Sequence, residues 1–202
     1  MIGVLDYGCG NVGSVLNMFS KLGIWSEKAS DPNALSAYSA LVLPGVGSFD
    51  TGVKKLKETG FWDVLNHAVL HDKKPVLGIC LGMQLFFEDS EEGNEKGFGW
   101  MPGTVRRFDA QEGLRVPHMS WNKAAFVKPP YDNIENNAYY FVHTYHAPEE
   151  LPQEYVLART SYGKTFPSAV SSGNLTGFQF HPEKSLLAGM DLLKIWELSL
   201  HH

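Results

Sequence analysis

Val76-Leu77-Gly78-Ile79-Cys80-Leu81-Gly82-Met83-Gln84 is the stretch on which the reading of this chain turns. An apolar run entered through Pro75 predicts a short buried strand, and the Gly-X-Cys-X-Gly step then leads into Met83-Gln84-Leu85-Phe86-Phe87, whose apolar spacing is helical. This is the pattern of a nucleophile elbow, in which flanking glycines let backbones pass closely and the central side chain stands on a strained turn above a sheet. Amides at the start of the following helix point toward the Cys80 thiol and favour its thiolate, and the Leu81 amide is placed for a developing oxyanion. Taken alone, the pattern also fits a buried core cysteine beside two packing glycines.

Upstream, Ile2 to Leu5 predicts a strand that ends in the turn cluster Asp6-Tyr7-Gly8-Cys9-Gly10-Asn11. A helix follows through Val12, Val15, Leu16, Phe19 and Leu22, with Asn11 as N-cap and Gly23 past its end. Gly8-Cys9-Gly10 lacks a third glycine in register, which argues against a dinucleotide fingerprint. Leu41-Val42-Leu43 predicts a second strand, running into Pro44-Gly45-Val46-Gly47, a loop whose amides can face a ligand and supply a second oxyanion donor. A helix covering Phe61, Trp62, Leu65 and Val69 precedes the elbow strand. The first ninety residues therefore read β-α-β-α-β-α, which requires parallel strands and right-handed crossovers, with ligands beyond the carboxyl ends of the strands.

After a polar, glycine-rich loop from Gly93 to Gly103 the texture changes. Strands are expected at 105–108, 139–143, 156–159, 169–170 and 175–181, with some antiparallel pairing, and a closing helix holds Leu186, Leu187, Leu192, Leu193 and Trp196. The fold class is α/β, a mostly parallel central sheet with helices on both faces and a strand-rich second half. At 202 residues and 44% apolar content, one domain over 1–200 is expected, with His201-His202 read as a possible tag remnant.

A net charge of −5 without a basic run argues against nucleic acid or an anionic membrane as partner. The start lacks a basic leader, no apolar stretch approaches a membrane span, and only two cysteines occur, so the chain reads as cytoplasmic. No Cys/His spacing resembles a zinc site; neither a metal nor a cofactor is expected.

Phe180-His181-Pro182-Glu183 closes the last strand. If that segment stays extended, residues two apart share a side, so Phe178 and Phe180 pack inward while His181 and Glu183 face the other way. His181 can then take the Cys80 proton, and Glu183 can orient the imidazole and support its charge. A thiol with a free pKa of about 8.5 needs such a base. His118 and His143 are rival bases, whereas His67 and His71, near a helix end, are read as solvated.

The elbow together with Gln179-Phe180-His181-Pro182-Glu183-Lys184-Ser185 resembles the triad-type (class I) glutamine amidotransferases, which have a flavodoxin-like fold. Leu43-Pro44-Gly45-Val46-Gly47, Ser90-Glu91-Glu92-Gly93, Val116-Pro117-His118-Met119, Trp121-Asn122, Tyr140-Phe141-Val142-His143 and Tyr162-Gly163 narrow the resemblance to the glutaminase subunits of imidazole glycerol phosphate synthase. It implies a catalytic set Cys80, His181 and Glu183, and an oxyanion hole from Val46, Gly47 and Leu81. Glutamine contacts are implied at Gly45, Gln84, Glu88, Thr144 and Tyr145. It also implies ammonia transfer to a (β/α)8-barrel cyclase subunit, with Asn11, His118, Trp121, Asn122, Tyr140 and Lys184 near that interface. Ser120, where the family motif usually has glycine, and Tyr145-His146-Ala147 depart from the usual pattern. Three alternatives stay open on sequence: a paralogue feeding another synthase, for example in amino-sugar synthesis, a cysteine hydrolase of γ-glutamyl compounds or peptides, and a non-catalytic module.

Overall fold

The computed structural model describes residues 1–109, 114–134 and 137–200; the possible tag remnant lies outside them. The chain opens β1 (Ile2–Leu5), α1 (Val12–Lys21), β2 (Ser26–Ala29), a 3-10 segment Pro32–Ala37, β3 (Ala40–Gly45), α2 (Phe49–Glu58), α3 (Phe61–Leu70), β4 (Val76–Cys80) and the one-turn α4 (Leu81–Gln84). It continues β5 (Asp89–Ser90), β6 (Thr104–Arg107), β7 (His118–Lys123), β8 (Ala125–Phe126), β9 (Ala138–His143), β10 (Tyr145–His146), β11 (Val156–Tyr162), β12 (Lys164–Ser172) and β13 (Leu175–Phe178). A 3-10 turn, Pro182–Lys184, and α5 (Leu186–Ser199) close it.

The main sheet runs β2-β1-β3-β4-β13-β12-β11-β8. Pairs from β2 to β13 are parallel and the remaining three are antiparallel. The order of the first five is the flavodoxin-like doubly wound one, so helices lie on both faces. Alternation along the strands divides the core. Ile2, Val4, Val42, Leu77 and Ile79 pack with Val15 and Phe19 of α1 and Leu192 and Trp196 of α5, while Leu5, Leu41, Leu43 and Val76 pack with Phe49 and Val53 of α2 and Leu65 of α3.

Several elements differ from the sequence expectation. Two helices, not one, separate β3 from β4, because Gly60 at φ +78° breaks the path between them. The helix after Cys80 is a single turn, since Phe98 and Met101 amides engage the carbonyls of Leu85 and Phe86 and draw that segment into a loop. β2, with two exposed residues in Ser26-Glu27-Lys28-Ala29, carries no apolar alternation to read. The last parallel strand stops at Phe178 rather than continuing to His181.

Candidate functional site

The elbow is built by close approach. Cys80 sits at φ +55°, ψ −110°, a conformation rarely adopted by a side chain with a Cβ, and surrounding contacts hold it there. A Cβ on Gly82 would lie 1.8 Å from the Leu43 carbonyl oxygen, and one on Gly78 would lie 2.7 Å from the Met83 nitrogen. These glycines let the turn seat directly against β3. In that register Gly45 pairs with Cys80, so the Pro44-Gly45-Val46-Gly47 loop leaves the sheet beside the thiol. Leu81 is the first helical residue, whose amide has no intrahelical acceptor.

β13 runs parallel to β4 on its other side, with Phe178 opposite Ile79, and this register carries Gln179 and then His181 alongside Cys80. The His181 amide donates to the Tyr140 carbonyl at 2.9 Å, and the Ser185 hydroxyl ties the His181 carbonyl to the Tyr140 amide. His181 Nδ1 lies 2.7 Å from Glu183 Oε1, with both side chains under 5% exposed. This pairing comes from the 3-10 turn at Pro182–Lys184, not from strand alternation as expected; Phe178 and Phe180 do stack inward. Burial opposes charge on His181, but the neighbouring Cys80 sulfur and the Glu183 carboxylate outweigh it and push the imidazole up to about 10. Nε2 is the ring nitrogen left to interact with the Cys80 sulfur, and it has no other hydrogen-bond partner among the described residues.

A cavity of about 230 Å³ opens over Cys80. Val46, Gly47 and Leu81 line it beside the thiol, and Gln84, Thr144 and Tyr145 line it further out. Two expected contacts fall differently. Gly45 is buried in β3, its α-carbon packed against Leu81 and Gly82. Glu88 is exposed, with its carboxylate accepting the Gly103 amide, and does not line the cavity. Glu92 lines it instead. Its carboxylate accepts the Phe49 amide at 2.7 Å, and burial raises its pKa. The loop bearing it is gripped by Asp50, whose carboxylate accepts the Asn94 and Glu95 amides. The sequence signal for Glu92 was the Ser90-Glu91-Glu92-Gly93 motif; only its placement was missing.

His143 lines the cavity, and His118 is wholly buried behind it. Burial lowers His118 to about 4 and His143 well below its usual value, so neither is a rival base. His118 is therefore not available to a partner as expected. Trp121, half exposed, meets Tyr140 edge-on, and Lys184 Nζ lies 5.9 Å from the Tyr140 ring, forming an aromatic and cationic surface group. Asn11 is exposed and caps α1 through the Ser14 amide. The Asn122 side chain is turned inward onto His118 and the Ser161 carbonyl. No cluster of His, Cys, Asp and Glu able to hold a metal occurs among the described residues. No helix there is long and apolar enough to cross a membrane.

A doubly wound sheet with Cys80 on the elbow and a buried His-Glu pair beside it defines a class. The family model "Glutamine amidotransferase class-I" matches residues 4–194, and the chain belongs to that family. Over 197 residues it is 46% identical to imidazole glycerol phosphate synthase subunit HisH 2 of Methanococcus maripaludis, covering 96% of this chain and 97% of that one. It is 42% identical to the subunit of the same name from Pseudomonas aeruginosa over the same share of both chains. Within the class, then, the chain is a member of the HisH family. Among solved structures, a glutamine amidotransferase superposes with a TM-score of 0.75 over 98% of this chain and 97% of the other; at 22% identity this speaks for the fold.

Proposed function

We propose that this chain is the glutaminase subunit of a cytoplasmic imidazole glycerol phosphate synthase. It hydrolyses L-glutamine to glutamate and passes the ammonia to a (β/α)8-barrel cyclase subunit, which makes imidazole glycerol phosphate and aminoimidazole carboxamide ribotide for histidine. The observation that carries the reading is Cys80 lining the cavity with the buried His181–Glu183 pair beside it, in a chain 46% identical to a named HisH subunit.

In this reading the Cys80 thiolate attacks the δ-carbonyl carbon of glutamine. The oxyanion is met by the Leu81 amide and by an amide of the Val46-Gly47 loop. His181 gives its Nε2 proton to the departing nitrogen, the C–N bond breaks, and ammonia leaves a glutamyl thioester. Neutral His181 then takes a proton from water as the water oxygen adds to the thioester carbon. The C–S bond breaks, thiolate and imidazolium are restored, and the new carboxyl group gives its remaining proton to solvent to leave glutamate. Glu183 holds the Nδ1 proton throughout. Glu92 is suited to the substrate's α-ammonium group, and Gln84, Thr144 and Tyr145 to its polar atoms. Trp121, Tyr140 and Lys184, with Asn11, form the docking surface.

Gly47 at φ +113° beside the 42% exposed Val46 supports a gated oxyanion loop, because glycine lowers the cost of turning the Val46 peptide. Loss of one such donor lowers turnover by about 10²- to 10³-fold. Glutaminase assays on the purified chain, alone and with a co-purified partner and its substrate, test the whole reading. A barrel cyclase that raises turnover by that order supports it. Capture of a different synthase that does so refutes the histidine assignment, and fast turnover by the lone chain refutes the gate.

A further inference from the structure

Gln179 has no role in the scheme above, yet it is fully buried and its side-chain Nε2 lies 3.8 Å from Cys80 Sγ, within reach of sulfur. An amide can present either end, and a carbonyl oxygen against the sulfur would disfavour a thiolate. The surroundings decide which end it is. The Tyr145 carbonyl can only accept, and Gln84 Nε2 sits 2.9 Å from it. The same nitrogen lies 3.1 Å from the Gln179 side chain, so the atom facing it must be Oε1, which leaves Nε2 on the sulfur. Turning Gln179 over would set two donors against each other inside the core.

Gln84 in turn is held from behind. His143 Nδ1 lies 2.7 Å from the same Tyr145 carbonyl and must carry a proton, so its Nε2 accepts from His118 Nδ1 at 3.0 Å. His118 Nε2 then accepts from Asn122, whose amide also donates to the Ser161 carbonyl. Backbone carbonyls at Tyr145 and Ser161 thus set the direction of every hydrogen bond in the series. Gln179 itself is fixed by its backbone, whose amide donates to the Ser168 carbonyl.

We propose that Gln179 is a catalytic residue whose side-chain N–H holds the Cys80 sulfur as thiolate, oriented by the Gln84, Tyr145 and His143 hydrogen bonds. The proposal deepens the glutaminase reading and rests on Cys80 being its nucleophile. The division of labour is chemical. His181 moves protons, whereas the amide has none to give and supplies a fixed donor that favours the charged sulfur, both before attack and as the thiolate leaves the thioester.

The test is the rate of Cys80 alkylation by iodoacetamide on the purified full chain, followed by the mass of the Cys80 peptide across about pH 5 to about pH 10. Gln179→Met removes the donor. Gln84→Met instead keeps the Gln179 amide and removes only the contact that orients it; thermal unfolding checks that each variant is folded. Gln179→Met should lower the alkylation rate at neutral pH by about 10- to 100-fold, and Gln84→Met should lower it by less. A folded Gln179→Met that is alkylated as fast as wild type, while His181→Asn is slowed, overturns the proposal and leaves the glutaminase reading standing. A wild-type Cys80 that is alkylated no faster than an unstructured cysteine peptide overturns both.

Discussion

Lowering the pH from about 7.5 to about 5.5 should destabilise this protein through two buried rings, His118 and His143, that stay neutral in the fold. Burial lowers His118 from 6.5 to about 4 and His143 well below 6.5. Above pH 6.5 each ring is neutral in both the folded and the unfolded chain, and no difference arises. Below it the unfolded chain takes up two protons that the fold refuses, so stability falls as pH falls, by about 1.4 kcal/mol per ring per pH unit. Only the unit below 6.5 counts in this window, so the two rings together cost about 3 kcal/mol. For a chain of this size each kcal/mol is about 2–4 °C in Tm. His146, also lowered by burial, adds in the same direction. His181, raised to about 10, is protonated in both states below 6.5, but between pH 7.5 and 6.5 only the unfolded chain takes up its proton. That unit restores about 1.4 kcal/mol and offsets about one ring, so His118, His143 and His181 together lower Tm by about 3–6 °C, with His146 adding to the fall. Thermal unfolding at the two pH values measures the fall, and a His118→Asn/His143→Gln double variant, though less stable at pH 7.5, should lose most of the slope. A wild-type Tm that stays flat between the two pH values, or a double variant that keeps the full slope, would refute the account of neutral rings.

Gly82→Ala should damage the elbow, since its Cβ would lie 1.8 Å from a backbone oxygen that cannot swing away. We expect a loss of about 1–3 kcal/mol in unfolding free energy and about 10² in glutaminase kcat, because an ångström-scale displacement of the nucleophile is enough. Glu183→Gln keeps the shape of the 2.7 Å contact with His181 but removes the charge that supports the imidazolium. Turnover by the partnered enzyme should fall by about 10² to 10⁴, with KM for glutamine changed little. Glu92→Gln should raise KM at least as much as it lowers kcat, and Glu88→Gln should change neither by more than about twofold, as expected of an exposed carboxylate outside the cavity. Equal losses in the two variants would show that the cavity is not the glutamine site.

What could be read from the residues is what local chemistry specifies. Apolar runs of four or five residues between turn clusters mark β1, β3 and β4 because strands buried on both faces have no polar positions to break them. Asn11 and Gly23 mark the ends of α1 because caps satisfy orphan backbone groups locally. The elbow glycines are legible for the same reason: only residues without a Cβ let the turn close onto its neighbour. The sequence alone therefore determined the α/β class, the position of Cys80 and the His181-Pro182-Glu183 segment. Tertiary structure decided the rest, since it depends on which strands become neighbours. The registers of β3 and β13 against β4 bring Gly45 and Gln179 to Cys80 from opposite sides. The grip of Asp50 on the loop at 94–95 puts Glu92, not Glu88, in the cavity. Burial of His118 and His143 turns two apparent bases into neutral struts, because a ring's charge is set by the solvent it loses and the partners it meets, and neither is written in its neighbours along the chain.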